Sequence, residues 1–161
     1  MTEAHLARGW MAKARTQVST PADVWLLARM AAWSVTLRLL KHVVPLPRLV
    51  LLVRRESRGR RDTAAEQKVV VLARWTGRFT RWSAQGPCLE RALVTYRYLT
   101  AMNANPVLVI GVAPGAPVIN GSRGHAWVTV DGAPVDDSEE SLEGFATIVA
   151  FGPDGQPYGT D

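Results

Sequence analysis

Residues 86–99 read GPCLERALVTYRYL, and how this stretch folds decides the class of the whole chain. Gly86 reads as a helix cap and Pro87 as a first helical residue, where the missing N–H of proline costs nothing. Cys88 then falls in the first turn. Leu89, Ala92, Leu93, Tyr96 and Leu99 follow at spacings of three and four, which marks a buried face. Directly afterwards the period changes. PVLVIGV, residues 106–112, is a β-branched strand, and residues 113–124 form a loop dense in Gly and Pro. HAWVTV, 125–130, is a second strand closed by the hairpin signal Asp131-Gly132. Val135 to Asp137 begins the return strand, and FATIVAF, 145–151, is a further one. A helix followed by a sheet built from hairpins, behind an all-helical start, predicts an α+β fold.

Upstream of this stretch the pattern is helical. Ser19-Thr20-Pro21 is a helix start, and an apolar run from Val24 to Val44 stops at Pro45-Leu46-Pro47. The run is about long enough to cross a bilayer. Arg29 and Arg38 lie inside it, however, and a central arginine costs roughly 3 kcal/mol on insertion. It therefore reads as a packed helix, with an interfacial helix as the alternative and membrane contact not favoured. Leu46–Val53 is a second helical piece, residues 54–62 (RRESRGRRD) a charged surface link, and Ala64 to about Thr80 a third helix with Val69, Leu72, Trp75 and Phe79 on one face. The expected division is a basic helical region over 1–81 and a core over 82–161, the two packing as one unit.

The net charge of +5 conceals an asymmetry. Residues 1–81 hold 16 Lys/Arg against 5 Asp/Glu, a net of +11, and residues 82–161 hold 3 against 9, a net of −6. The halves thus present different surfaces, and the basic one suits solvated helix faces or an acidic partner. No nucleic-acid recognition motif accompanies the charge, so nucleic acid is not an expected partner. The chain has a single cysteine, which excludes an internal disulfide and a cysteine-cluster zinc site and suits a reducing compartment. No metal or cofactor is expected. The first residues, MTEAHLARGWMAKAR, lack the apolar run of a secretory signal, and the expected location is cytoplasmic.

A cysteine at a helix N-terminus meets free backbone N–H groups and the positive end of the macrodipole, which favour the nucleophilic thiolate. Such a nucleophile needs a base within hydrogen-bond reach and a third group to orient that base. His125 opens a strand after the Gly-rich loop, where a side chain reaches the sheet edge. His5, near the terminus, and His42, in the apolar run, are bland by comparison. Asp136 and Asp137 lie just across the hairpin. With a two-residue turn at Asp131-Gly132, residue 127 faces 136, which puts Asp136 on the His125 face; a bulge would put Asp137 there instead. Trp127 shares the His125 face and suits either a shield over the imidazole or plain packing. Glu90 and Arg91 read as an ion pair or solvated face, and Gln85 as a candidate oxyanion donor.

Cys88-Leu-Glu-Arg-Ala-Leu-Val, then LVIGV at 108–112, then His125-Ala-Trp-Val with its Asp-Gly and Asp137, resembles the leader peptidase of lasso-peptide biosynthesis. This is the protease half of the lasso-peptide B protein, within the transglutaminase-like cysteine proteases and related to the microcin-processing protein. The likeness covers about residues 63 to 140. It implies a papain/transglutaminase-like core in which the Cys88 helix packs on an antiparallel sheet. It also implies Cys88 as nucleophile, His125 as general base and acid, and Asp137 as the orienting carboxylate. The implied reaction is hydrolysis of one bond between leader and core of a ribosomally made precursor. The implied partners are that precursor, a separate leader-recognition protein and the ATP-dependent lasso cyclase. Another transglutaminase-like amidase or acyl transferase, and a non-catalytic basic interaction protein, are the alternatives. The family carries Asn-Asp where this chain has Asp136-Asp137, and the loop before His125 is longer here.

Overall fold

The structure, a computed structural model, describes residues 20–56, 59–79, 88–113 and 124–158. Four helices lead into the sheet: α1 over Pro21–Leu40, α2 over Leu46–Val53, α3 over Thr63–Phe79 and α4 over Cys88–Ala101. The strands are β1 (Pro106–Val112), β2 (Gly124–Val130), β3 (Ala133–Pro134), β4 (Ala146–Phe151) and β5 (Pro157–Tyr158), with a one-turn helix α5 (Glu139–Leu142) between β3 and β4. They form a five-stranded antiparallel sheet in the order β3-β2-β1-β4-β5. The fold is α+β, as the switch of period after residue 99 predicts.

Local chemistry explains where α1 begins. Thr20 caps it with its hydroxyl on the Asp23 N–H, and the Asp23 carboxylate returns a bond to the Thr20 N–H, each at 3.2 Å. This reciprocal box satisfies two orphan donors at the start of a helix that opens on proline. Buried Asp23 is also neutralised by Lys68 of α3 at 2.8 Å. The helix ends at Leu40, so His42 lies in the exposed turn that follows rather than within a helix.

One helix organises everything else. The spacing of α4 predicts one buried face, but Ala92, Leu93, Val94, Thr95, Tyr96, Tyr98, Leu99 and Thr100 are all buried. The sheet covers one side with Leu108, Ala126, Val128 and Phe151, and α1, α2 and α3 cover the other with Met30, Leu37, Leu49, Val50, Val53, Val69 and Leu72. A helix enclosed on both sides has no outward stripe, so its polar groups depend on partners inside; three side chains find them, while the buried Thr95 and Tyr98 hydroxyls have none among the described residues. Glu90, 5 % exposed, pairs with Lys41 at 2.8 Å. Arg97 donates to the Val53 carbonyl at 2.9 Å while its guanidinium lies 3.9 Å over the Trp33 ring, tying α1, α2 and α4 at one point. Tyr96 donates its hydroxyl to the Gly152 carbonyl at 2.5 Å, joining α4 to the β4–β5 turn, and burial pushes its pKa up to about 12.

The link at 54–62 is less idle than its composition suggests. Arg54 donates to the Pro153 carbonyl at 3.2 Å, and Arg61 lies 2.7 Å from both Glu66 and Asp131. Two of its arginines are therefore structural, while Arg55 and Arg60 are exposed and Arg58 is outside the described residues. Among the described residues no helix is long and apolar enough to cross a membrane.

Tyr96→Phe removes one buried hydrogen bond and leaves the Gly152 carbonyl without its partner. It should lower unfolding stability by about 1–2 kcal/mol, read as a lower urea midpoint at unchanged m-value. An unchanged midpoint would mean that this bond does not hold α4 to the sheet.

Candidate active site

Cys88 is the first residue of α4 and is half-buried. His125 is the second residue of β2 and sits opposite Gly111 of β1. The two meet because α4 packs along β1 and β2, which brings its N-terminus to the end of the sheet where β2 begins. The thiol and the imidazole lie close enough for each to shift the other's titration. His125 Nε2 lies 3.1 Å from Asp137 Oδ2, which leaves Nδ1 for the thiol. Cys88, His125 and Asp137 thus form one continuous run of interacting groups.

The third member of that run is where strand logic misleads. The hairpin has the simple two-residue turn, with Val130 opposite Ala133 and Thr129 opposite Pro134. Continued alternation would have carried Asp136 to the His125 face. The return strand instead covers only Ala133–Pro134, and 135–137 are bends beyond a single hydrogen bond from the Val135 N–H to the Val128 carbonyl. Once pairing stops, a period of two no longer dictates side-chain direction. Asp137 turns to His125, and Asp136 turns to the helices, where Arg74 Nε and Arg91 Nε lie 2.7 and 2.6 Å from its two oxygens. Arg91, one turn past Cys88, also reaches both oxygens of Asp137, at 3.1 and 3.2 Å.

Electrostatics follow from these contacts. The hydrogen bond to Asp137, with that to Cys88 behind it, pushes the His125 pKa up to about 9 against the opposing effect of burial. Burial pushes the Cys88 thiol up, but the hydrogen bond and charge of His125 and the backbone N–H groups of Ala126 and Leu89 outweigh it and hold the thiol below its ordinary 9.0. Burial likewise raises Asp137, and the hydrogen bond from His125 with the charge of Arg91 brings its carboxyl below the usual range. All three shifts favour a thiolate–imidazolium pair beside a carboxylate.

A wall of rings closes the imidazole from one side. Trp127 stacks on His125 with centroids 5.9 Å apart and planes at 18°, and Phe145 lies 5.5 Å from His125. Gly111 makes room for this: a Cβ there would come within 2.8 Å of the Trp127 ring and 2.9 Å of the Ala146 carbonyl. The stacked geometry favours the shielding reading of Trp127. A glycine inside a β-branched strand is itself a sign of such close approach, so Gly111 was findable from the sequence. Phe145 carried no signal beyond its strand, because its contact depends on how β4 lies against β1. Gln85, Gly86, Pro87, His5 and the loop at 114–123 are outside the described residues. Among the described residues no group of His, Cys, Asp or Glu side chains is arranged to hold a metal ion.

A family model described as the transglutaminase-like superfamily matches residues 24–150, which takes in α1 through most of β4. No curated protein and no solved structure matches the chain.

The thiolate–imidazolium pair spans the pH range from the lowered thiol value to about 9, where His125 loses its proton. Alkylation of Cys88 by iodoacetamide should therefore set in below the ordinary thiol range, with a second rise near pH 9. In His125→Ala the only rise should lie at or above the ordinary thiol value, because burial then acts unopposed by the imidazole. Identical profiles for the two proteins would show that His125 does not activate the thiol.

Proposed function

The chain belongs to the transglutaminase-like superfamily, and on that footing we propose that it is a cysteine peptidase that removes the leader from a ribosomally made lasso-peptide precursor. The observation that carries the reading is the run of interacting groups from Cys88 through His125 to Asp137 at the mouth of α4. The finer assignment rests on the likeness of CLERALV, LVIGV and HAWV with its Asp-Gly to the leader peptidases.

The chemistry follows from the groups in contact. The Cys88 thiolate attacks the carbonyl carbon of the scissile peptide bond, and its electron pair forms the C–S bond as the carbonyl oxygen becomes an oxyanion. The first-turn N–H groups of α4 and its positive end are the donors we assign to that oxyanion. The His125 imidazolium gives its proton to the leaving amine, the C–N bond breaks, and a thioester remains. Water then attacks the thioester with neutral His125 taking its proton, the C–S bond breaks, and the thiolate–imidazolium pair is restored as the acid leaves. Asp137 holds the imidazole and supports its charge in both halves of the cycle. The ring wall of Trp127 and Phe145 limits water on one face of the base.

Partners belong to the same proposal. A separate leader-recognition protein presents the precursor, and the lasso cyclase takes the released core. The helical half offers a surface for docking. Along α1 the residues pointing away from the core include Val24, Trp25, Val35 and Leu39, and Val43 continues the line beyond its end, at 57, 66, 55, 69 and 76 % exposed. Arg29 and Arg38 flank this stripe on the helical wheel and have no ion pair among the described residues. An apolar stripe with cationic borders fits a partner with an apolar ridge edged by carboxylates.

Incubation with the leader-recognition protein and the precursor should yield a single cleavage by mass spectrometry. Cys88→Ala and His125→Ala should each abolish it with the fold retained, and Asp137→Asn should slow it by on the order of 10²–10⁴-fold. Asp136→Asn, at a side chain that does not itself touch His125, should slow it less. Comparable cleavage by Cys88→Ala would end the cysteine-peptidase reading.

The docking surface has its own test. Val35→Glu with Leu39→Glu should weaken co-elution with the recognition protein and slow partner-dependent cleavage, leaving Cys88 alkylation as in the parent. Undiminished co-elution would remove α1 as the docking face.

A further inference from the structure

Asp136 and Asp137 are neighbouring carboxylates, and Asp137 is the one that touches His125. Two like charges this close repel unless cations hold them. Arg91 supplies that hold from α4: Nη2 donates to both oxygens of Asp137 at 3.1 and 3.2 Å, and Nε lies 2.6 Å from Asp136 Oδ2 as an ion pair without hydrogen-bond alignment. Arg74 of α3 takes the other Asp136 oxygen at 2.7 Å and the carbonyls of Val135 and Asp136 at 3.4 and 3.0 Å. The segment 135–137 lies in no strand or helix, so two arginines rather than a ladder determine where it sits. The Asp136 carboxylate at the centre of this arrangement is 3 % exposed, which removes the screening that makes surface pairs weak.

We propose that Arg91 is a positioning residue: its guanidinium fork grips Asp136 and Asp137 together and so keeps the Asp137 carboxylate against His125 Nε2. The inference rests on reading Cys88, His125 and Asp137 as one working unit. It assigns the two aspartates different tasks, Asp136 as the anchor and Asp137 as the face shown to the imidazole. It also requires arginine specifically, because a lysine ammonium is a single point of charge and cannot hold Asp137 by one nitrogen while a second nitrogen lies against Asp136.

Charge and position make opposite predictions here. As a bare positive charge, Arg91 disfavours the imidazolium, so its loss would raise the His125 titration midpoint. As a positioning residue, it preserves the contact that raises that midpoint, so its loss lowers it. The test is an NMR titration of the His125 imidazole in the reduced full chain, with His125→Ala identifying the resonance, for the parent, Arg91→Lys and Arg91→Gln. The expected result is a fall from about 9 by about one unit or more in both variants. With it, Cys88 alkylation at pH 6 should slow about tenfold for each unit by which the thiol midpoint rises. An unchanged or raised His125 midpoint, or recovery of the parent midpoint by Arg91→Lys, overturns the proposal. Thermal melts accompany each variant, and if Arg91→Gln does not fold, Arg91→Lys, which keeps the charge, decides the matter alone. No substrate enters the measurement, so a parent protein that fails to cleave a precursor counts against the peptidase reading and leaves this result standing.

Discussion

The enclosure of α4 is the constraint on which the rest depends. A 14-residue helix with sheet on one side and three helices on the other can slide or rotate only by breaking packing on both sides at once. Its first residue is therefore delivered to one place, the end of the sheet where β2 starts. Cys88 is carried by a helix buried along most of its length. The same enclosure requires Glu90, Tyr96 and Arg97 to find partners inside, and those partners, Lys41, Gly152 and Val53 with Trp33, fasten the helices and the β4–β5 turn to the same axis.

The charge asymmetry of the chain takes on a second meaning in three dimensions. Basic side chains of the first half meet acidic ones of the second at Lys41–Glu90, Arg61–Asp131 and Arg74–Asp136. Part of the +11 against −6 imbalance is thus complementarity within the molecule, concentrated around the hairpin that bears the aspartates. What is left exposed on the helical side is a mixture of unpaired arginines and the apolar outer stripe of α1. Exposed apolar area of this kind costs solubility, and its retention beside unpaired cations is the physical reason for looking there for a partner.

The site itself is built from parts of unequal rigidity. Cys88 and His125 stand on regular elements, a packed helix and a paired strand. Asp137 stands on bends, and side-chain ion pairs do for it what a ladder does for His125. A carboxylate held that way depends on the charges around it as much as on the chain that carries it. This is why the hairpin register, although simple, does not predict which aspartate meets the imidazole.

Much of this was legible in the sequence. The Thr20-Pro21 start, the Cys88 helix, the Asp131-Gly132 turn and, to within a residue, the strands read at 106–112, 125–130 and 145–151 all follow from capping, period and turn chemistry, which are local; the first helix, read to run on to Pro45, ends at Leu40 instead. The pairing of Cys88 with His125 was legible too, since a thiol at a helix mouth and a histidine at a strand start are each placed by those local rules. Three things were not legible from local rules. The burial of α4 on all sides, the contact of Phe145 with the imidazole, and the choice of Asp137 over Asp136, which the family resemblance alone named, each depend on residues far apart in sequence. The last is the sharpest case. Strand alternation gave no route to it, because the return strand ends after Pro134, and the direction of the next three side chains was left to Arg74 on one helix and Arg91 on another.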